Sequence, residues 1–348
     1  MTIRAVTFHG PEDVRVESRP DPTPPTDGVV LRVDRAAICG SDLHLYHGTM
    51  PVEPGFAVGH EFVGEVVESG SGVRDFSVGD KVLCSGVIGC GACAPCRLGH
   101  VVRCERGGTR VFGVGPELDG GQAEAVAVPG ADHALKRIPD GISVEQSVLL
   151  TDILPTGFYG AKNADIKPGQ NVAVIGLGPV GLLALETAQL YGPARIFAID
   201  RVPERLAAAE ALGAIPVNAD SDAGAIVREA TGGTGPDSVI EAVGADETIQ
   251  AAIEMVRPAG VVSVVGVSLN FAFPFNMTLA MMKDLTFRIG LCPVPELWPE
   301  LVPLVQSGRL HPERVFTHRM PLAKAADAYE LFAARTDGVM KILLDPNS

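Results

Sequence analysis

The chain has 348 residues, of which 46% are hydrophobic and 20% charged, enough apolar material for two folded domains. Its formal net charge of −14 opposes binding to a phosphate backbone, and no run of Lys or Arg offsets it, so we expect no nucleic-acid partner. The first residues lack the apolar core of a secretory signal, so we expect a cytoplasmic protein.

The first half of the chain, to about residue 150, alternates short β-branched runs with turns rich in Gly, Pro and Asp. This pattern predicts a distorted, mostly antiparallel β domain. Two residues of metal-binding type lie at predicted strand ends there, Cys39 in AAICGSDLHLYHG and His60 in VGHEFVGEV. Taken singly, Cys39 is equally well interpreted as a small buried hydrophobe and His60 as a hydrogen-bonded core histidine.

Four cysteines follow with the spacing C-x2-C-x2-C-x7-C, at Cys90, Cys93, Cys96 and Cys104. Four thiolates from one short lobe fill a tetrahedral Zn²⁺ site and leave no open position, so the spacing predicts a structural zinc. The alternatives are an iron–sulfur cluster, whose bacterial ferredoxin spacing ends in x3-C-P, and unrelated thiols. A disulfide framework is disfavoured because the chain has seven cysteines and no secretion signal.

From Asn171 the pattern changes to short, nearly continuous apolar runs separated by helical segments. Such runs are typical of strands that are buried on both faces, so the pattern predicts a doubly wound parallel sheet in the order 3-2-1-4-5-6. The six predicted strands are NVAVIG, ARIFAID, AIPVNA, DSVIEAV, VVSVVGV and LTFRIGL. The last strand is predicted at an open edge, where a second copy of the chain can pair.

A glycine fingerprint joins the first of these strands to its helix and predicts a dinucleotide site. Gly176 permits the tight turn, Gly178 lets the backbone approach a pyrophosphate, and Gly181 lets helix and strand pack closely. Pro179 and Val180 complete the motif, which spans residues 176–181.

The residues at the end of the next strand bear on the choice of nucleotide. Asp200 ends that strand, where a carboxylate accepts hydrogen bonds from the adenosine ribose and repels a 2′-phosphate, which favours NAD. Arg201 leaves NADP open, because a guanidinium can bind that phosphate.

One stretch tests the expectation that no segment enters a membrane. Residues 258–282 carry no charge, but Asn270, Pro274 and Asn276 interrupt them, so we expect a strand, a turn and a helix that starts near Met277. The tail from about Cys292 contains a helical segment, LAKAADAYELFAA, and a closing strand, VMKILLD, and is predicted to return to the first domain. The predicted domains are residues 1–152 with 292–348 and residues 153–291.

In this order, the Gly59-His60-Glu61 motif, the four-cysteine lobe and the glycine fingerprint resemble the zinc-dependent medium-chain alcohol dehydrogenases. The resemblance covers nearly the whole chain and implies a GroES-like catalytic domain. It implies a catalytic zinc held by Cys39, His60 and a third ligand just before the nucleotide domain. That third position is often Cys, but here it is Asp152. The run Asp-Ile-Leu-Pro-Thr-Gly is similar to that of the glutathione-independent formaldehyde dehydrogenases, in which the Asp is the ligand.

The same resemblance implies roles for the neighbouring residues. Asp42 is expected to hold a ligand imidazole in its metal-binding tautomer, and Glu61 to approach the metal during exchange of water or substrate. Ser41 is expected to bind the substrate hydroxyl, and His44 to carry the proton to solvent. Position 40 is Gly where some relatives have a basic residue, so Lys341 is predicted to supply charge near the pyrophosphate.

The implied reaction converts an alcohol and NAD⁺ into an aldehyde or ketone and NADH, with two Zn²⁺ per chain. The implied assembly is a homotetramer, with a homodimer as the alternative. A polyol or threonine dehydrogenase of the same family remains an alternative. Less favoured are a zinc-independent quinone or enoyl reductase, which lacks the ligand set of Cys39, His60 and Asp152, and a dinucleotide sensor without catalysis.

Overall fold

The computed structural model describes residues 1–348, which divide into two compact units. The first unit contains residues 1–155 and 293–348, and the second contains residues 156–292. The nucleotide-type pattern that starts at Asn171 therefore lies within the second unit, and the tail after it belongs to the first.

The amino-terminal part of the first unit is mostly β-structure. Its strands are β1 (Thr2–Gly10), β2 (Asp13–Pro20), β3 (Val29–Ala37), β4 (Glu61–Ser69), β5 (Lys81–Cys84), β6 (Val87–Ile88), β7 (Arg110–Val111), β8 (Ala125–Val128) and β9 (Leu135–Arg137). Its short helices are α1 (Asp42–Tyr46), α2 (Ala94–Arg97), α3 (Ala131–Ala134) and α4 (Val144–Leu149), with a 3₁₀ turn at Val101–Arg103.

The second unit has the predicted alternation of strands and helices. Its helices are α5 (Ile153–Asn163), which starts just before the unit, α6 (Pro179–Ala188), α7 (Pro203–Ala211), α8 (Ala223–Ala230), α9 (Asp246–Met255) and α10 (Met277–Lys283), with a 3₁₀ turn at Gln189–Tyr191. Its strands are β10 (Asn171–Ile175), β11 (Arg195–Asp200), β12 (Ile215–Asn218), β13 (Ser238–Glu241), β14 (Val261–Val264) and β15 (Thr286–Ile289).

The tail completes the first unit. It contains α11 (Val294–Gln306), β16 (His318–Pro321), α12 (Ala325–Ala334) and β17 (Ile342–Asp345), with 3₁₀ turns at Pro312–Val315 and Leu322–Lys324. β17 pairs antiparallel with β3, so the tail adds two strands to a seven-stranded sheet ordered β16-β17-β3-β4-β5-β9, with β8 also on β3. α12 buries Ala325, Ala328, Tyr329 and Phe332 in the core of this unit.

The sheet of the second unit confirms the predicted fold class. Its six strands are all parallel, and their order β12-β11-β10-β13-β14-β15 is the predicted 3-2-1-4-5-6 arrangement. Val172–Ile175 of β10 are buried because helices cover both faces of such a sheet. The uncharged stretch forms β14 and α10, as expected, and no helix is both long and apolar enough to cross a bilayer.

Sequence patterns did not predict α11. Pro299 and Pro303 lie inside this helix, although proline removes a helical N–H and crowds the preceding turn. The apolar side chains of Leu297, Trp298 and Leu301 are nevertheless buried, so tertiary packing stabilises a helix that local propensity disfavours.

Candidate functional site

The expected ligands of the catalytic metal come from three separate segments of the first unit. Cys39 follows the end of β3 and His60 precedes the start of β4, and the pairing of Ala37 with Glu61 places both residues at the same end of these strands. Asp152 lies in the turn between α4 and α5. The fold therefore brings together residues that are up to 113 positions apart.

The donor atoms of these residues fit a tetrahedral zinc. Zn–S near 2.3 Å and Zn–N or Zn–O near 2.0 Å place neighbouring ligand atoms about 3.3–3.5 Å apart. Cys39 Sγ lies 3.6 Å from Asp152 Oδ2, and His60 Nε2 lies 3.5 Å from the same oxygen. One donor atom from each of Cys39, His60, Glu61 and Asp152 lies within 4.8 Å of the others. Thiolate, imidazole and carboxylate groups such as these are all ordinary zinc ligands.

Burial and charge shape the ionisation of these ligands. Burial raises the pKa of the Cys39 thiol, with the Glu61 carboxylate adding to the effect. Burial alone lowers the pKa of His60, but Asp42, Cys39 and Asp152 raise that pKa well above its ordinary value. Metal ligands must be deprotonated, so these shifts couple zinc binding at Cys39 and His60 to the release of protons.

The Asp42 carboxylate faces the imidazole ring of His60. Its Oδ1 lies 3.2 Å from His60 Nδ1, and both side chains are almost fully buried. A carboxylate facing Nδ1 keeps the proton on that nitrogen and leaves Nε2 as the donor on the side of Cys39 and Asp152.

The two expected proton-relay residues, Ser41 and His44, have different partners. Ser41 Oγ lies 3.2 Å from Cys39 Sγ and 3.1 Å from His60 Nε2, so its hydroxyl borders the candidate metal position. His44 contacts Thr49, whose Oγ1 lies 3.2 Å from His44 Nδ1. Burial, with a smaller contribution from His47, lowers the pKa of His44. A neutral imidazole at neutral pH is able to accept a proton.

Glu61 and Lys341 form a buried ion pair. Lys341 Nζ donates to Glu61 Oε1 over 2.5 Å, and both side chains are fully buried. Burial alone lowers the pKa of Lys341, but Glu61 raises it, so the lysine stays charged. The ammonium group of Lys341 is thus paired with Glu61. The sequence analysis had instead predicted that Lys341 supplies charge near the pyrophosphate. Its partner is 280 positions away, which is why spacing did not reveal the pair.

The four-cysteine lobe also has the geometry of a metal site. The sulfur atoms of Cys90, Cys93, Cys96 and Cys104 all lie within 4.8 Å of one another. Cys90 and Cys96 are separated by 4.0 Å between sulfurs, close to the edge of about 3.8 Å of a Zn–S₄ tetrahedron. Backbone N–H groups, that of Cys90 first, lower the pKa of Cys104 to about 6, which favours the thiolate that a metal requires.

The glycine fingerprint forms the turn from β10 into α6. Gly176 has φ +86°, and a Cβ there would overlap Val243. A Cβ on Gly181 would overlap the carbonyl oxygen of Gly176. Gly178 is the N-cap of α6, which begins at Pro179 and Val180, so the free N–H groups of the helix start beside the turn.

Asp200 supports this turn. Its Oδ2 accepts a hydrogen bond from Leu177 N over 2.7 Å, and its Oδ1 accepts from the backbone N of Arg201 and Val202. Arg201 extends to the exposed Asp220, with Nε 3.1 Å from Oδ1.

Sequence reasoning missed Arg205 in the nucleotide half. Its guanidinium lies 3.8 Å from Asp200 Oδ2, and the Cβ position of Gly178 is 3.9 Å from Arg205 Nη1. Arg205 lies in the first turn of α7, only five residues after Asp200. That spacing was the sequence signal that could have identified Arg205 as a neighbour of the nucleotide turn.

Comparisons with known proteins agree with both units. Residues 25–140 match the alcohol dehydrogenase GroES-like domain, and residues 179–307 match the zinc-binding dehydrogenase family. A probable zinc-binding alcohol dehydrogenase of Mycobacterium tuberculosis is 47% identical over 99% of this chain and 89% of its own length. The solved alcohol dehydrogenase TADH from Thermus sp. ATN1 is 46% identical, with a TM-score of 0.91 over 98% of this chain and 99% of that chain.

More distant solved structures bear on the nucleotide. An Escherichia coli alcohol dehydrogenase, complexed with NADH, is 26% identical with a TM-score of 0.88, each chain covered to 99%. A Sinorhizobium meliloti zinc-binding dehydrogenase, bound to NADP, is 29% identical with a TM-score of 0.85, covering 99% of this chain and 100% of that chain. Since the matches extend over both units and both zinc-ligand clusters are present, this chain belongs to the zinc-dependent medium-chain alcohol dehydrogenases, a family of oxidoreductases.

Proposed function

We propose that the protein oxidises a small alcohol or aldehyde hydrate with NAD⁺, using a zinc held by Cys39, His60 and Asp152. The observation that carries this proposal is the convergence of these three side chains with the Ser41 hydroxyl. Three protein ligands leave a fourth position for substrate, and a bound Zn²⁺ supplies Lewis-acid chemistry there.

The residues of this chain have distinct parts in the proposed reaction. Ser41 orients the substrate hydroxyl, because its Oγ already lies between Cys39 and His60. His44 takes the proton towards solvent, consistent with its half-buried position and lowered pKa. Lys341 holds Glu61, so that this carboxylate is available beside the metal ligands without a net buried charge.

We propose that the chain has one domain for catalysis and zinc binding and another for nucleotide binding. Residues 1–152 with 292–348 form the catalytic zinc-binding domain, and residues 153–291 form the dinucleotide-binding domain. The two compact units, with boundaries near residues 155 and 293, support this division.

Within the family, we assign the chain to the branch that resembles the glutathione-independent formaldehyde dehydrogenases. Asp152 and its neighbours Ile153–Gly157 support this assignment. We expect purified enzyme to reduce NAD⁺ with short primary alcohols or formaldehyde without added glutathione, as followed by NADH absorbance. Turnover only with sorbitol or threonine would contradict the branch and favour the polyol or threonine alternative.

We also propose NAD over NADP, because the Asp200 carboxylate lies against the glycine turn, with Oδ2 accepting from Leu177 N and Oδ1 from the backbone N of Arg201. Asp200→Asn keeps the shape and removes the charge that opposes a 2′-phosphate. We expect KM for NAD⁺ to rise about tenfold and the preference over NADP⁺ to fall by more than that, since a lost charged hydrogen bond is worth about 1.5–3 kcal/mol. Steady-state kinetics with both nucleotides test this.

Glu229→Gln is the matched control, because it neutralises an exposed carboxylate in the same unit. It is expected to leave KM for NAD⁺ within about twofold. A wild-type preference for NADP⁺ would show that Arg201, not Asp200, governs the choice.

The proposed assembly is a homotetramer of two edge-paired dimers, with the plain dimer as the alternative. β15 is the edge strand of its sheet, and apolar side chains are exposed nearby at Phe271, Met277, Met281, Met282 and Ile289. Unpaired strand edges and exposed apolar patches are typical of association surfaces.

Light scattering tests this assembly. We expect a wild-type mass of a multiple of 36.4 kDa, and Ile289→Lys is expected to shift it towards the monomer because it places a charge on the edge strand. Val78→Lys, at another exposed apolar position in the first unit, is the control. A wild-type monomer at micromolar concentration would rule out both the dimer and the tetramer.

A cytoplasmic location is a further proposal. All seven cysteines are free thiols, although four of them lie close together. Reduced thiols with metal-binding geometry are typical of a reducing compartment.

A further inference from the structure

The carboxylate that faces His60 is itself held by a deeper polar side chain. Asp42 Oδ1 faces His60, whereas Oδ2 accepts hydrogen bonds from Cys39 N over 2.9 Å and from Gln122 Nε2 over 3.2 Å. Gln122 is fully buried. Its orientation therefore bears directly on the position of Asp42.

Every polar atom of the Gln122 amide has a partner in the protein. Nε2 also donates to the carbonyl oxygen of Ala37 over 3.1 Å, and Oε1 accepts from Tyr329 Oη over 3.0 Å. A flipped amide would direct its oxygen at two acceptor oxygens, those of Ala37 and Asp42, so only one orientation satisfies the site. In that orientation Oε1 needs a donor, and Tyr329 supplies it.

Packing ties the same two side chains to the segments that carry the metal ligands. Gly59 has φ +95°, and a Cβ there would overlap Gln122 Cγ, so Gln122 lies directly against the peptide before His60. The Tyr329 ring packs on Tyr46 with 5.6 Å between centroids, and Tyr46 is in α1, the helix that begins at Asp42. Tyr329 itself is 1% exposed.

We propose that Gln122 and Tyr329 are positioning residues for the metal ligand His60. They act through Asp42: the Tyr329 hydroxyl orients the Gln122 amide, the amide orients the carboxylate, and the carboxylate fixes the imidazole. Groups that orient a ligand imidazole contribute to metal affinity because they restrict its rotation and tautomer. This inference rests on the proposed zinc site at Cys39, His60 and Asp152.

The test measures zinc retention in the zinc-loaded protein under a competing chelator. Groups that orient metal ligands typically change affinity by about 10–100-fold. We expect Gln122→Leu to accelerate loss of the catalytic zinc about tenfold, and Tyr329→Phe about threefold because it acts at one further remove. The double variant is expected to match Gln122→Leu alone, since Tyr329 acts only through Gln122.

Two references accompany these variants. The zinc of the four-cysteine lobe is expected to leave at the wild-type rate in every variant, because that lobe is separate from this network. Tyr46→Phe removes a hydroxyl from the neighbouring buried tyrosine and is expected to retain both zincs like the wild type. Gln122→Leu has the larger expected effect. If Gln122→Leu does not fold, the rate of zinc loss from Tyr329→Phe tests the inference.

The outcomes separate positioning from general stability. Wild-type release of the catalytic zinc with a lowered melting temperature would overturn the inference, because the network would then stabilise only the fold. Equal acceleration at both zinc sites would also overturn it, since global opening would explain the loss. A wild-type protein that binds no zinc at Cys39, His60 and Asp152 would instead contradict the proposed function itself.

Discussion

We expect replacement of Cys39 with serine to lower kcat/KM by more than about 100-fold and to leave the fold intact. Residues that only orient a ligand cost about 10–100-fold when they are lost, so loss of a direct thiolate ligand is expected to cost more. Cys39 Sγ is one of the three donors that we assign to the catalytic zinc, and serine is nearly isosteric with cysteine. The measurements are steady-state kinetics, zinc content and circular dichroism.

Cys96→Ser is the matched variant in the other cluster. It removes a buried thiolate from the four-cysteine lobe, so we expect one zinc to be lost together with thermal stability. Wild-type protein is expected to contain about two Zn²⁺ per chain. A single zinc in the wild type, together with an active Cys39→Ser variant, would contradict the proposed catalytic zinc site at Cys39, His60 and Asp152.

The second large effect is expected from the buried ion pair. Lys341→Met leaves Glu61 as an uncompensated carboxylate in a fully buried position. Removing one partner of a buried pair typically costs about 3–5 kcal/mol, so we expect a loss of this size in the free energy of unfolding. Urea denaturation of the zinc-loaded protein measures it.

The double variant Lys341→Met with Glu61→Gln separates charge from packing. It removes both charges, and we expect it to recover much of the lost stability. A Lys341→Met variant within about 1 kcal/mol of the wild type would show that the pair behaves like an exposed one.

Local sequence patterns were sufficient to predict the second unit. The runs of β10 to β15 are each bounded by turn residues, and the glycine fingerprint has a fixed spacing. The four cysteines of the lobe lie within 15 residues, so their spacing alone indicated a metal site. Features encoded in a short window need no knowledge of how distant segments meet.

The catalytic cluster required more than spacing. Cys39, His60 and Asp152 come from distant segments, and only the resemblance to a family indicated that they converge. Lys341 and Glu61 are 280 positions apart, and Gln122 and Tyr329 are 207 apart. Neither pair follows a motif, because both depend on how the tail packs against the amino-terminal sheet.

That packing of the tail has a consequence for synthesis on the ribosome. Residues 293–348, which contain β16, β17, Tyr329 and Lys341, emerge last, after the whole second unit. At about 5–20 residues per second, translation of this tail takes roughly 3–11 s. During this interval the nascent chain can fold its contiguous second unit, and the four-cysteine lobe, local in sequence, can acquire its zinc. The catalytic cluster lacks the side chains of Tyr329 and Lys341 until the tail is made, so we expect its metal site to be completed after that of the four-cysteine lobe.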